Sequence, residues 1–507
     1  MSPFRDVPLL LILLAATVLR FIYIGQSEAD FDELWHLELS TGRGSAHETL
    51  PMNQLIARTP ALTSLHDAPG WHTIPTSLDT VTHPPLYPML LRAWRSLFGE
   101  SIAAGRMLSA TLSALAVLLL YLAVAQLYPA STARWAAALL AVSSAQIDTA
   151  QEVRNYTLLI ALCLAAALAL LRIERLGLSR LRIAMLGLAV LGALFTHYFA
   201  APAVAAMALY AMLRLAGQRR RATLSVIVGA CLMFAGIWAP MLARQAGAFA
   251  GATVPGALLD SSPDHLRATL TRLAMLPVQL LFEPRTDAKV AAMLAAVMYL
   301  LPALLLRSRP TLLLWAIWFY AVIGFAAILD LTRGTRHLEQ LRHTILAGPA
   351  MCVLLAGMLR GVRWRVLEHA VPAMIVLACV SGLGLTYTRA NKRYSEIGRL
   401  LSERAYAHEP VVFYSDPSMR WWAQWALLAA SHYSGTFPRP ALRLDRPADE
   451  DNLRELRQWD HVWVYWGATS LSPEQIVPGA RVVWSGGQSD LGGVARLRWE
   501  KTPDPLK

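Results

Sequence analysis

The sequence predicts a mainly α, polytopic integral membrane protein with a small C-terminal α/β domain outside the membrane. Three observations carry that expectation. Hydrophobic residues make up 55% of the 507 positions and charged residues only 16%, far from the averages of soluble domains. Apolar runs of roughly 15 to 20 residues recur between Val7 and Leu385, a length suited to crossing about 30 Å of hydrocarbon as helices. After Thr388 the composition turns soluble.

In chain order the runs number about eleven. They are Val7 to Gly25, Met107 to Leu127, Trp135 to Ile147, Tyr156 to Leu171, Ile183 to Phe195, Phe199 to Leu213, Ala222 to Met241, Val290 to Leu306, Thr311 to Leu329, Thr344 to Leu359 and Val366 to Leu385. The first is read as a span and not as a cleaved signal peptide, because Gly25-Gln26-Ser27-Glu28-Ala29 has no convincing small-x-small site. Arginines cluster in alternate connections: Arg172, Arg175, Arg180 and Arg182, then Arg214 with Arg219, Arg220 and Arg221, then Arg307 and Arg309, then Arg360, Arg363 and Arg365. Such clusters mark the cytoplasmic side, which places the C-terminal tail and the intervening loops outside. The net charge of +12 therefore reads as a topology signal and not as a nucleic-acid surface. All four cysteines lie in apolar segments, which argues against disulfides.

Two domains follow: residues 1–388 with a first outer loop over 26–102, and an extracytoplasmic α/β domain over 389–507. Within the loop, Phe31 to Leu39 and Pro84 to Phe98 have the spacing of helices lying in the interface, the second with Arg92 and Arg95 opposite its apolar side. The tail alternates amphipathic stretches, Arg393 to Ala407 and Asp449 to Trp459, with β-like runs at Pro410 to Tyr414, His461 to Trp466, Arg481 to Trp484 and Val494 to Trp499. Gly486-Gly487 and Gly492-Gly493 read as turns, and Trp421 and Trp422 as tail packing.

Four outer-side patches carry chemistry: Asp32-Glu33, Thr82-His83-Pro84-Pro85-Leu86-Tyr87, Gln151-Glu152-Val153-Arg154-Asn155-Tyr156 and Thr196-His197-Tyr198-Phe199. Acids beside a membrane are costly to desolvate and need a task or a cationic partner. In their order and positions the four patches resemble polytopic glycosyltransferases of the GT-C type, nearest to dolichyl-phosphate-mannose protein mannosyltransferases and bacterial lipid A aminoarabinose transferases. The likeness covers roughly the N-terminal 200 residues; the second half matches only in hydropathy and in its soluble tail.

The resemblance implies transfer of a sugar from a polyprenyl-phosphate donor to a lipid, glycan or protein acceptor, at the outer face of a bacterial inner membrane. It implies Asp32 as general base, with Glu33 in support and Asp30 close enough to share the work. A departing lipid phosphate calls for guanidinium donors. Arg154 is the first candidate, and Arg333, Arg336 and Arg342, with His337 and His343, form a second outer cluster placed against the positive-inside bias. His83, Tyr87, Glu152, His197 and Tyr198 are candidates for binding substrate. His83 and His197 match no compact metal motif, so no metal ligand is assigned, and a divalent cation stays open as a cofactor. Membrane lipids are expected partners and nucleic acid is not. The competing reading is a transporter or flippase of a lipid-linked or glycan substrate. Against it, the charges gather at helix ends on one face, and the two halves show no repeat.

Overall fold

The computed structural model describes residues 6–250, 263–282, 288–333, 335–387, 408–433, 440–467, 469–489 and 492–500. The helices in chain order are α1 Val7–Phe21, α2 Phe31–Thr41, α3 Ala46–Thr49, α4 Leu86–Phe98, α5 Ile102–Val124, α6 Ala130–Val142, α7 Ser144–Ala150, α8 Tyr156–Leu176, α9 Arg180–Thr196 and α10 Ala200–Arg214. They continue with α11 Gly217–Ala250, α12 Pro263–Gln279, α13 Ala288–Leu305, α14 Leu313–Arg333, α15 Ala347–Met358, α16 Arg365–Tyr387, α17 Arg420–Tyr433, α18 Glu450–Leu456 and α19 Pro473–Ile476. The chain divides into two compact units, residues 1–25 with 78–389, and residues 26–77 with 390–507.

Among the described residues, the regular elements of the first unit are all helical. The apolar runs expected to span fall on its helices, except that Trp135 to Ile147 is broken at Ser143 and divided between α6 and α7. Among the described residues, five helices are long and apolar enough to cross a membrane by length and composition: Ile102–Val124, Tyr156–Leu176, Gly217–Gly247, Pro310–Arg333 and Arg365–Gly384. The shorter apolar helices are Val7–Phe21, Ala130–Val142, Ala200–Arg214, Ala291–Leu305 and Ala347–Met358. Polar side chains tie the bundle together from within. Arg20 of α1 is fully buried and donates to Ser113 Oγ at 2.8 Å, to the Ala141 carbonyl at 2.9 Å and to the Leu140 carbonyl at 3.1 Å, joining α1, α5 and α6. A buried guanidinium is tolerated only with its donors engaged, and these bonds supply that. Gly177, at a φ of +83°, and Ser179, whose hydroxyl accepts from the Arg182 amide, turn the chain from α8 into α9.

α4 departs from the expected interfacial helix at its arginines. Arg92 and Arg95 face inward and are buried, whereas Leu97 and Phe98 are exposed. An apolar environment inverts the usual arrangement, so arginines turn away from it toward polar partners, and Arg95, itself buried, reaches the exposed Glu100 at 3.4 Å.

The second unit holds a six-stranded sheet of β1 Leu55–Ile56, β2 Val411–Ser415, β3 Ala441–Leu444, β4 His461–Gly467, β5 Ala480–Ser489 and β6 Gly492–Trp499, in the order β1-β3-β2-β4-β6-β5. The central pairs β3-β2 and β2-β4 are parallel, with α17 and α18 in the crossovers, and β4-β6-β5 is antiparallel. Val412, Leu442, Val464 and Leu497 lie in its core.

Residues 26–77 thus group with the tail and not, as their place in the outer loop 26–102 suggests, with the helices. The reason is an open sheet edge: β1 pairs antiparallel with β3, and buried Arg443 donates to the carbonyls of His47, at 2.6 Å, and Leu50. Neither glycine pair marks a free turn, since Gly486 and Gly492 lie within paired strands. The stretch 393–407 and the side chains of Trp421 and Trp422 lie outside the described residues.

Candidate functional site

In the helical unit, the helix ends at Tyr156, Thr196, Ala200 and Arg333 bring four histidines and an arginine together. The His83 and His197 rings lie 5.1 Å apart. His197 stacks on Phe199 at 4.9 Å, and Phe199 in turn meets His337 at 5.4 Å and His343 at 5.3 Å. His337 and His343 are 4.8 Å apart. Arg154 is 2% exposed, with its guanidinium 5.4 Å over the Tyr156 ring. Asn155, just before α8, reaches His83 Nδ1 at 3.4 Å and donates to the Thr196 carbonyl at 3.3 Å, locking three of the sequence patches together. His197 Nδ1 accepts from the Phe199 amide at 3.0 Å, which requires that nitrogen to be unprotonated.

The loop after α14 is set by one acid. Asp330 is fully buried and accepts from the His337 amide at 2.7 Å, the Leu338 amide at 2.9 Å and Thr335 Oγ1 at 2.8 Å, with His337 Nδ1 at 3.2 Å. Burial, then the positive fields of His337, Arg342 and Arg154, push His343 down to about 3, so its ring is neutral at ordinary pH.

A cavity of about 380 Å³ opens among α7, Phe282 and this loop. Asp148, Glu152, Gln279, Glu339 and Arg342 are among its lining residues. It therefore offers one guanidinium among several acids and amides, a surface suited to a polyhydroxylated or amino-bearing group next to an anion.

The remaining candidates are placed as follows. Tyr87 is buried one layer down, its hydroxyl 3.3 Å from Ser109 Oγ, which donates to the Arg154 carbonyl at 3.3 Å. Tyr198 turns toward α11, donating to Gln245 Oε1 at 2.5 Å and accepting from Trp238 Nε1 at 2.8 Å, and burial raises its hydroxyl pKa. Arg333 and Arg336 are exposed, the latter 3.8 Å from Glu339. Among the described residues no group of three or more His, Cys, Asp or Glu is arranged to hold a metal.

Asp32 and Glu33 belong to the second unit, in the first turn of α2. Asp30 Oδ1 accepts from the Glu33 amide at 2.8 Å, and Glu33 Oε2 accepts from the Asp30 amide at 3.1 Å. The two form a capping box, which commits Asp30 and Glu33 to holding the helix start and leaves Asp32 as the first-turn acid outside it. Behind them, Glu38 is buried against His47, whose Nδ1 lies 2.5 Å from Glu38 Oε2. Burial raises the Glu38 carboxyl despite that partner.

Sequence reasoning passed over Asp330 and Asp148, and named Asn155 only within its patch, without a role. A lone acid at the end of an otherwise apolar run was the available signal for Asp330, and Asp148 precedes Glu152 by four positions, too ordinary a spacing to stand out.

The fold is that of the GT-C glycosyltransferases. The chain resembles the structure of ArnT from Cupriavidus metallidurans in the apo state, with a TM-score of 0.60 at 12% identity over 98% of both chains. ArnT bound to undecaprenyl phosphate gives 0.58, again at 12% identity and 98% of both chains. The Archaeoglobus fulgidus oligosaccharyltransferase in complex with Zn and sulfate gives 0.50 at 13% identity, over 90% of this chain and 68% of that one. Residues 82–243 match the family model described as dolichyl-phosphate-mannose-protein mannosyltransferase, a segment that includes His83, Arg154, Asn155 and His197. No curated protein sequence matches the chain. The family and the structures named here are all glycosyltransferases or oligosaccharyltransferases, and the fold is that of a multi-pass membrane protein.

Proposed function

We propose that the protein transfers a sugar from a polyprenyl-phosphate donor to a lipid, glycan or protein acceptor on the outer face of a bacterial inner membrane. The observation that supports the reading is the cluster at the helix ends, covered in part by the family match, in which Arg154 and His197 are buried and Arg342, His83 and His343 are half-buried. Sugar transfer from a lipid phosphate leaves an anion that must be stabilised without a nucleotide, and buried guanidiniums do this best where water is scarce. In the proposed step Asp32 takes the proton of the acceptor hydroxyl, whose oxygen bonds to the anomeric carbon. The bond from that carbon to the phosphate oxygen breaks, and the phosphate charge is held by Arg154 and Arg342. General-base assistance of this kind contributes on the order of 10²- to 10⁴-fold. Neutral His343 donates or accepts a hydrogen bond without adding charge, and the acids and amides of the neighbouring cavity meet the sugar.

The topology of the arginine clusters supports the outer face as the side of reaction. The tail domain, read as extracytoplasmic, would shape acceptor access.

Purified protein incubated with a panel of polyprenyl-phosphate sugars tests the reading. Asp32→Asn should abolish turnover while leaving donor binding intact, and Arg154→Ala should weaken donor use. Normal turnover by Asp32→Asn would remove the proposed base. If every donor is left intact but moves across a sealed vesicle, the transporter reading replaces this one.

A further inference from the structure

At the ends of α8, α9, α10 and α11 opposite the histidine cluster lies a second cavity. The 21 residues of α8 cover about 31 Å, so this end sits one hydrocarbon thickness away from Arg154. The cavity measures about 610 Å³, and Glu174, Leu178, Arg214, Leu215, Gln218 and Arg219 are among its lining residues. Its framework is built and not a chance gap between loops. Glu174 accepts from Tyr210 Oη at 2.5 Å and pairs with Arg214 at 3.2 Å, which satisfies the acid from within. Arg219 Nη1 donates to the Glu174 carbonyl at 3.1 Å, fixing that guanidinium at the rim while the residue remains exposed.

Charge and surface around the cavity are one-sided. From Arg172 to Arg221 the chain carries eight arginines and the single acid Glu174. Arg182 is spent on the Leu176 and Gly177 carbonyls, but Arg219, Arg220 and Arg221 are exposed near the start of α11. Beside this basic rim, Leu176, Leu181 and Leu213 are 56%, 70% and 60% exposed. A cationic pocket next to exposed leucines at the level of a membrane surface matches an amphiphile with an anionic head. A free anion would use only the pocket and leave the leucines unexplained.

We propose that this cavity binds the phosphate headgroup of an anionic phospholipid, with the acyl chains laid over Leu176, Leu181 and Leu213. Arg219 meets the phosphate, and Leu178 and Leu215 line the wall beneath the glycerol. This site is separate from the donor site and does not depend on the sugar chemistry proposed above.

The test is native mass spectrometry of the full-length protein released from nanodiscs of phosphatidylcholine with graded phosphatidylglycerol. Arg219→Gln should weaken retention of phosphatidylglycerol about fivefold, the equivalent of the ~1 kcal/mol that one basic residue contributes at an anionic surface. Leu178→Trp, which fills the cavity without changing charge, should lower retention as well. Arg363→Gln, in another basic linker, should change nothing. Retention unaltered by both cavity variants, or lowered equally by Arg363→Gln, overturns the site. A second arm uses labelled inorganic phosphate with nanodiscs of phosphatidylcholine alone: saturable phosphate capture that Arg219→Gln abolishes there would overturn the assignment to a lipid.

Discussion

Asp330→Asn offers the sharpest test of how the proposed phosphate-binding loop is held. The carboxylate takes three bonds on Oδ1, from Thr335, the His337 amide and the His337 ring, and one on Oδ2, from the Leu338 amide. An amide in its place has a single acceptor oxygen. Its better orientation keeps that oxygen where Oδ1 stands and turns the NH₂ toward the Leu338 amide, donor against donor at a site where Leu338 is 3% exposed. One hydrogen bond to a charged group is lost, worth about 1.5–3 kcal/mol, and a buried N–H is left unsatisfied at a further cost of about 1–3 kcal/mol. A conservative total of about 3 kcal/mol corresponds to roughly a hundredfold more frequent opening of the loop. Hydrogen exchange by mass spectrometry reads this directly: peptides over 335–343 should exchange about two orders of magnitude faster, while those over α8 stay unchanged. Donor KM should rise, because Arg342 and His343 ride on the same loop. Unchanged exchange across 335–343 would refute the assignment of Asp330 as the loop's anchor.

The other expectations are narrower. Asp30→Asn should preserve turnover to within about twofold, because Asn caps a helix as well as Asp does; a collapse matching that of Asp32→Asn would give Asp30 a chemical part. His343 is held neutral down to about 3 when folded but takes a proton near 6.5 when unfolded, so its contribution to stability is full above 6.5 and is lost as pH falls toward 3. Between pH 7.5 and 5 that loss is about 2 kcal/mol, so His343→Gln should lose less thermal stability over this interval than the parent, and an equal loss would contradict the neutral ring. Arg443→Leu removes the buried guanidinium's bonds to the His47 and Leu50 carbonyls and should destabilise the second unit by about 3 kcal/mol, seen as faster proteolysis within 46–56.

Much of the helical framework was legible because lipid imposes a blunt rule: backbone polar groups must be satisfied inside a helix, and the side chains around it must be apolar. That rule locates helices and is nearly silent on what lies between them. Residues 26–77 carry no apolar run, and their pairing with β3 depends on register with strands nearly 400 positions away, which no local pattern encodes. The inward turn of Arg92 and Arg95 escaped for a related reason. Helical periodicity separates two faces, but it takes the surrounding solvent to decide which one is inside.

The acidic segment Asp30-Phe31-Asp32-Glu33 shows how one spacing carries two messages. An acid, two intervening residues and then Glu is the signature of a capping box, and the same letters hold the Asp-Glu pair proposed for the chemistry. Sequence alone leaves three carboxylates competing for one task. Hydrogen bonding divides them: Asp30 and Glu33 each accept the other's backbone amide, so moving either toward chemistry would cost the helix its start. Asp32 sits between them on a helix whose first turn is held at both ends, half-buried and outside the cap. A general base gains from such an arrangement, because the helix turn that carries it is held by neighbours engaged in the cap. Glu33→Gln separates support from chemistry. The amide retains an oxygen for the Asp30 backbone, so helix and turnover should largely survive, whereas Asp32→Asn should leave the helix intact and the reaction absent. Loss of turnover in Glu33→Gln with α2 still protected from exchange would move the proton transfer from Asp32 to Glu33.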